Sequence, residues 1–165
     1  MRRILGLDPG SSATGWSVID SEGSRHVAVA WGVIRPRGAE RAEKLADLSN
    51  RLSVVLAEHA PDEAAIETPF TGRNPRSAIA LAEARGAILA AVGLRGLPVK
   101  GYSPAAVKQA TVGHGRADKT QIAYMVTRLF HLPTTPAEDA CDALAIAWTH
   151  LQHGRITAVV PSVRR

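Results

Sequence analysis

Arg3-Ile4-Leu5-Gly6-Leu7-Asp8 decides how this chain folds. A short, continuous apolar run of this kind suits a strand buried on both faces, and here it ends on a carboxylate. Working outward, Ala13 to Asp20 reads as a second strand with Trp16 and Val18 on one face. The turn Ser21-Glu22-Gly23-Ser24 leads to a third, in which Val27, Val29, Trp31 and Val33 alternate with smaller residues. Three strands on short links predict an antiparallel meander, ended by Pro36 and Gly38.

Beyond the meander the pattern changes. Leu45, Leu48, Leu52, Val55 and Leu56 recur with helical spacing between Glu40 and His59. Ala60-Pro61-Asp62 stops that helix, and Glu63-Ala64-Ala65-Ile66-Glu67 gives a short central strand that also ends on an acid. Asn74-Pro75 starts a long helix to about Leu94, with proline at the permissive first position. A strand over Pro98–Tyr102 follows, then helices over Pro104–Val112 and Asp118–Phe130. Thr135-Pro136-Ala137-Glu138 fits a capping box with proline at the first helical position. That start places Asp139 and Asp142, three residues apart, on one face of the last helix. Strands that return through helices lie parallel to the first. The expected fold is α/β: a mixed central five-stranded sheet flanked by helices. Asp8 and Glu67 then fall at one edge of adjacent parallel strands, where such folds place their sites.

Composition bounds the function. At 165 residues and 45% hydrophobic, the chain suits one domain, 1–165, with a short basic tail from about 154. The single cysteine, Cys141, excludes an intramolecular disulfide and a thiolate zinc cluster. No apolar run reaches membrane-spanning length, and the N-terminus lacks a signal-peptide pattern, so a cytoplasmic protein without membrane contact is expected. The net charge is +5, but from Thr68 to Arg128 nine Lys/Arg stand against two acids. This basic middle suits a polyanion-binding face, or equally the solvated helix surface of an Arg-rich protein.

Asp8, Glu67, Asp139 and Asp142 sit among Ile, Leu and Ala. Buried carboxylates must be paired, protonated or metal-bound. All-oxygen donors suit Mg²⁺ or Mn²⁺ rather than zinc. Two such ions, roughly 3.5–4 Å apart, serve phosphodiester chemistry. Taken singly, each acid reads as a helix cap or surface charge; taken together, at matching ends of core elements, they read as a metal site. His150 and His153, at i, i+3, have a spacing that suits a metal, but cationic side chains near a helix end explain them as well.

These residues resemble the RuvC-type Holliday-junction endonucleases. The resemblance lies in Ile4 to Ser11 with Thr14-Gly15, in Ala65-Ile66-Glu67 with Phe70, Asn74 and Ser77-Ala78, and in Leu81 with Ala84-Arg85-Gly86. It continues in Val107-Lys108-Gln109, Val112-Gly113, Gly115 and Lys119, and closes in Asp139 to Ala147. It runs from about residue 3 to residue 151. It implies an RNase H-like fold and a homodimer that nicks two opposed strands of a four-way DNA junction in recombinational repair. It also implies dependence on Mg²⁺ or Mn²⁺ and cooperation with a RuvA–RuvB branch-migration complex. Carried over by position, Asp8, Glu67, Asp139 and Asp142 become the metal-binding catalytic acids. Lys108 and Lys119 become cations that stabilise charge at the scissile phosphate.

Phe70, in a polar loop, has the chemistry to stack on an unpaired base, worth roughly 1–3 kcal/mol in single-strand binders; folding back onto the core is the plainer role. Arg73 and Arg76 beside it, and Arg116 in the basic segment, are further DNA-contact candidates. The Ala-rich helix 74–94, with Gly86 and Gly93, is the candidate dimer contact. Three rival readings share the fold: a catalytically silent junction-binding module, an actin-like or sugar-kinase ATPase, and an RNase H-like nuclease with another substrate.

Overall fold

The computed structural model describes residues 1–68 and 74–159, with side chains up to 154. Five strands and five helices follow in the order β1 (Arg2–Pro9), β2 (Thr14–Glu22), β3 (Arg25–Ile34), α1 (Arg41–His59), β4 (Glu63–Glu67), α2 (Pro75–Gly93), β5 (Val99–Tyr102), α3 (Pro104–Val112), α4 (Lys119–Leu129) and α5 (Glu138–Val159). The sheet order is β3-β2-β1-β4-β5. β1, β2 and β3 pair antiparallel, whereas β4 lies parallel to β1 and β5 parallel to β4. This is the mixed sheet expected from the order of elements.

Strand alternation divides the core between two helix layers. Leu5, Leu7, Val18, Ala64 and Ile66 point to one side, where α1 and α2 supply Leu48, Leu52 and Ile88. Ile4, Ile19 and Ala65 point to the other, against Val107, Ile122, Leu144 and Leu151 of α3, α4 and α5. Both sheet faces are thus covered, which is why β1 reads as continuously apolar.

α5 lies unusually close to the sheet because two glycines make room. A Cβ on Gly15 would fall 1.8 Å from the Asp139 carbonyl oxygen, and one on Gly6 would fall 2.1 Å from that of Ala143. Ala140, Ala143 and Ala147, all buried, complete the thin seam. The sequence therefore presses the first turns of α5 onto the ends of β1 and β2.

Two local expectations are corrected. The alternation of Val27, Val29, Trp31 and Val33 with smaller residues is not carried through β3 as a regular strand pattern. A bulge shifts the register between Val18 and Ile19, so that Ala30 and Ala28 become successive partners and Val29 is left over. Val27 and Val29 are consequently exposed, while Trp31 packs on the α5 side. Bulged edges of this kind resist strand addition. The capping box at Thr135 does not form either. The Cys141 N–H donates to the Ala137 carbonyl, which makes Ala137 the cap and puts Pro136 before the helix. The Thr135 hydroxyl instead faces that of Thr127, and the Glu138 carboxylate meets the Lys119 ammonium. A better cation partner across the gap to α4 outcompetes the local cap.

Candidate active site

The register Leu7↔Ile66 places the next residues, Asp8 and Glu67, side by side on the α5 face of two parallel strands. Asp142, in the second turn of α5, comes down beside them over Gly6 and Gly15. Asp8, Glu67 and Asp142 line one cavity of about 340 Å³ together with Lys108, Lys119 and the apolar Val107, Ile122 and Ile146. Its walls include two capped helices. Ser103 accepts from the Ala106 N–H at 3.2 Å and starts α3 with Pro104 in the first turn. Asp118 and Gln121 form a reciprocal capping box that starts α4 at Lys119. Each lysine is therefore delivered from a capped helix, not from a loose loop.

The electrostatics are those of crowded, desolvated acids. Burial, then Glu67 and Asp142, push the Asp8 carboxyl up to about 8, and Asp8 and Glu67 hydrogen-bond to each other. Burial also raises Glu67; its hydrogen bond with Asp8 and the charges of Lys108 and Lys119 oppose that rise. Asp142 is raised by burial and partly offset by Lys119. Without a cation, one proton is shared between Asp8 and Glu67. Two lysines in the same cavity do not remove the strain, because Lys119 is also engaged by Glu138.

The donor chemistry fits hard divalent ions: three carboxylates, no sulfur, and no arginine within the cavity lining. Among the described residues no three His, Cys, Asp or Glu side chains are grouped closely enough to hold a metal ion as they stand. The acids instead line an open cavity, which leaves room for a phosphate beside any ion. Asp139 stands at its edge and not in its lining. Its half-buried carboxylate is 3.9 Å from the exposed Arg35 guanidinium. It still acts on Asp8 and Asp142, raising both by its charge.

The remaining candidates are dispersed. Arg76 is exposed in the first turn of α2, where Asn74 caps its backbone N–H at 3.0 Å. Arg116 is exposed between α3 and α4, outside the cavity lining. Phe70 and Arg73 lie outside the described residues. On α2, a Cβ at Gly86 or Gly93 would meet nothing within 4 Å, so neither glycine is used for packing within the described chain.

One buried polar group escaped sequence reasoning. His150 has both ring nitrogens engaged inside the fold: its Nε2 lies 2.7 Å from Glu63 and its Nδ1 2.8 Å from the Tyr102 hydroxyl. A carboxylate only accepts, so Nε2 donates to Glu63, while Nδ1 meets the Tyr102 hydroxyl. Burial, with Glu63 second, pushes that phenol up to about 12, which keeps it a donor. Arg2 closes the group with a 2.7 Å ion pair to Glu63. Glu63 and Glu67 bracket β4 on the same face, so α5 is fastened over one end of the strand and its acids are presented over the other. The eight residues from Asp142 to His150 rise ~12 Å and the four from Glu63 to Glu67 ~13 Å, so the two ends match.

Comparison with known proteins agrees with this architecture. The family model described as crossover junction endodeoxyribonuclease RuvC matches residues 4–150. The chain belongs to the RuvC family. It is 48% identical over 168 residues to the RuvC of Halorhodospira halophila, covering the whole of both chains. To the RuvC of Azorhizobium caulinodans it is 49% identical over 154 residues, covering 93% of this chain and 91% of the other. Among solved structures, T. thermophilus RuvC in complex with a Holliday junction superposes with a TM-score of 0.88 at 33% identity. It covers 95% of this chain and 97% of that one. RuvC membership fixes the fold as RNase H-like. No helix among the described residues is long and apolar enough to cross a membrane.

Proposed function

We infer that this RuvC-family chain is a structure-selective endonuclease that resolves four-way DNA junctions by hydrolysing phosphodiester bonds. The single observation that carries the mechanism is the gathering of Asp8, Glu67 and Asp142 beside Lys108 and Lys119 in one open cavity. Asp8, Glu67 and Asp142, with Asp139 turning in from the edge, would hold two Mg²⁺ or Mn²⁺ ions. Bound ions of this kind supply a nucleophile from water and offset charge on the leaving oxygen. The chain's own residues do the rest. The four acids fix where that charge sits, and the glycine-thinned seam under α5 holds Asp142 against Asp8. Lys108 and Lys119 direct ammonium groups at the non-bridging phosphate oxygens, where negative charge grows in the transition state. Binding draws on the basic segment 68–128, including Arg73, Arg76 and Arg116, through counterion release, with Phe70 stacking on an exposed base.

Paired nicks in opposed strands need two such centres, so the acting species is a homodimer of single-domain protomers. The exposed side of α2, with Ile79, Gly86 and Gly93, is its contact face. The enzyme works in the cytoplasm on junctions delivered by a RuvA–RuvB branch-migration complex. A junction and a linear duplex, each incubated with Mg²⁺ and with chelator, test this reading. Symmetric nicks in the junction alone, and only with metal, are expected; equal cutting of the duplex, or cutting in chelator, would refute it. Junction binding without any cutting would favour a silent module instead.

A further inference from the structure

A second cavity, also about 340 Å³, lies near the acid site on the opposite face of the sheet, lined by Ser11, Ser12, Pro36, Arg41 and Lys44. The cross-strand pair Thr14↔Ile34 sets its two loops side by side, because Ser11 and Ser12 precede Thr14 and Pro36 follows Ile34. The same loops border the active site. Ser11 is three residues past Asp8, and Arg35, next to Pro36, reaches to 3.9 Å from Asp139.

The polar lining consists of two hydroxyls, an ammonium and a guanidinium, with no carboxylate. Arg41 is already committed to α2 through Glu83, at 2.7 Å. Lys44 has no carboxylate partner among the described residues. The nearest acid in sequence, Glu43, is turned away to accept from the Ala39 and Glu40 N–H groups, at 2.7 and 3.2 Å. A half-buried, unneutralised ammonium facing hydroxyl donors is complementary to an anion with several acceptor oxygens.

We propose that this cavity seats a backbone phosphate flanking the scissile one, so that the cut strand crosses the sheet edge from the Lys108/Lys119 side to the Lys44 side. This rests on the endonuclease reading above. Two basic stations on opposite faces would hold the strand taut over Asp8 and Glu67, which aligns the scissile phosphate without any base contact.

The test measures DNA binding against salt, in chelator so that strands stay intact. Each lost phosphate contact lowers the slope of log affinity against log salt by about one. Lys44→Ala is expected to lose about one from the slope, and Lys44→Arg to keep it. Arg25→Ala, at the far end of the β2–β3 hairpin, removes the same charge and is expected to leave the slope unchanged. A neutral methylphosphonate linkage is then walked past the cut position. It should weaken wild-type binding at one flanking position and have no effect there in Lys44→Ala. Equal slopes in Lys44→Ala and wild type, or equal losses in Lys44→Ala and Arg25→Ala, would overturn the proposal. So would a flat scan, which is also what a free phosphate or nucleotide as the true occupant would give. Failure of the parent reading looks different: wild type would then prefer no junction, while the Lys44 difference would persist on linear duplex.

Discussion

Asp8 is the residue on which the proposed chemistry turns, and its titration gives the sharpest prediction. In the metal-free protein its carboxyl is pushed up to about 8, so the folded state holds a proton that the unfolded chain has released. Between about pH 4 and pH 8 the native state binds more protons, and stability falls as pH rises. Metal-free protein is therefore expected to melt higher at pH 6 than at pH 8. Asp8→Asn should raise the metal-free Tm at pH 8 and flatten its pH dependence while abolishing cleavage, as calorimetry and a nicking assay would record. Added Mg²⁺ should reverse the trend, because protons and ions compete for the same oxygens; activity then falls on acidification. Lys108→Ala and Lys119→Ala should slow single-turnover cleavage about 10²–10³-fold, with little change in junction affinity. Comparable losses in rate and binding would make them plain phosphate contacts.

At the scale of elements, α5 is the part that must be placed correctly, and it is placed at its first turn and again at mid-helix. Gly15 faces the Asp139 carbonyl so closely that even a methyl group has no room. Gly15→Ala is expected to cost about 1–3 kcal/mol in urea unfolding and to lower the cleavage rate, because the first turn of α5 must lift away from Asp8. At mid-helix, His150→Ala strips the half-buried Glu63 and the buried Tyr102 of a shared partner. A loss of roughly 1–3 kcal/mol is expected, at about 2–4 °C of Tm per kcal/mol. This fastening was not legible in the sequence. His150 and Glu63 are 87 residues apart, and at i, i+3 from His153 the histidine resembles an ordinary helix-end cation. Asp8 and Glu67 were legible because acids closing apolar strand runs have no cheap alternative environment. The β3 bulge and the absent Thr135 cap were not, since each depends on a partner from another element. The bulge follows from pairing with β2, and the lost cap from Lys119 drawing Glu138 away.

On the scale of the whole molecule, three of the acids, the two lysines and the second cavity converge on one sheet edge. β1 and β4 end there in acids, α3 and α4 begin near it with their lysines, and the β1–β2 loop and the first turn of α1 bring Ser11, Ser12 and Lys44 to its other face. The order of elements predicted this edge, because parallel strands joined through helices expose their ends together. It did not predict that Asp139 would stand outside the cavity beside Arg35. That ion pair is long and, on the Arg35 side, exposed, so it is weak enough to be exchanged when a cation enters. The central claim is that four separated acids act as one ion-binding centre. An equilibrium Mn²⁺ titration of the folded protein tests it most directly. About two ions per protomer are expected, with Asp8→Asn, Glu67→Gln and Asp142→Asn each losing most of that binding while keeping the native fold. Undiminished Mn²⁺ binding in all three variants would contradict it.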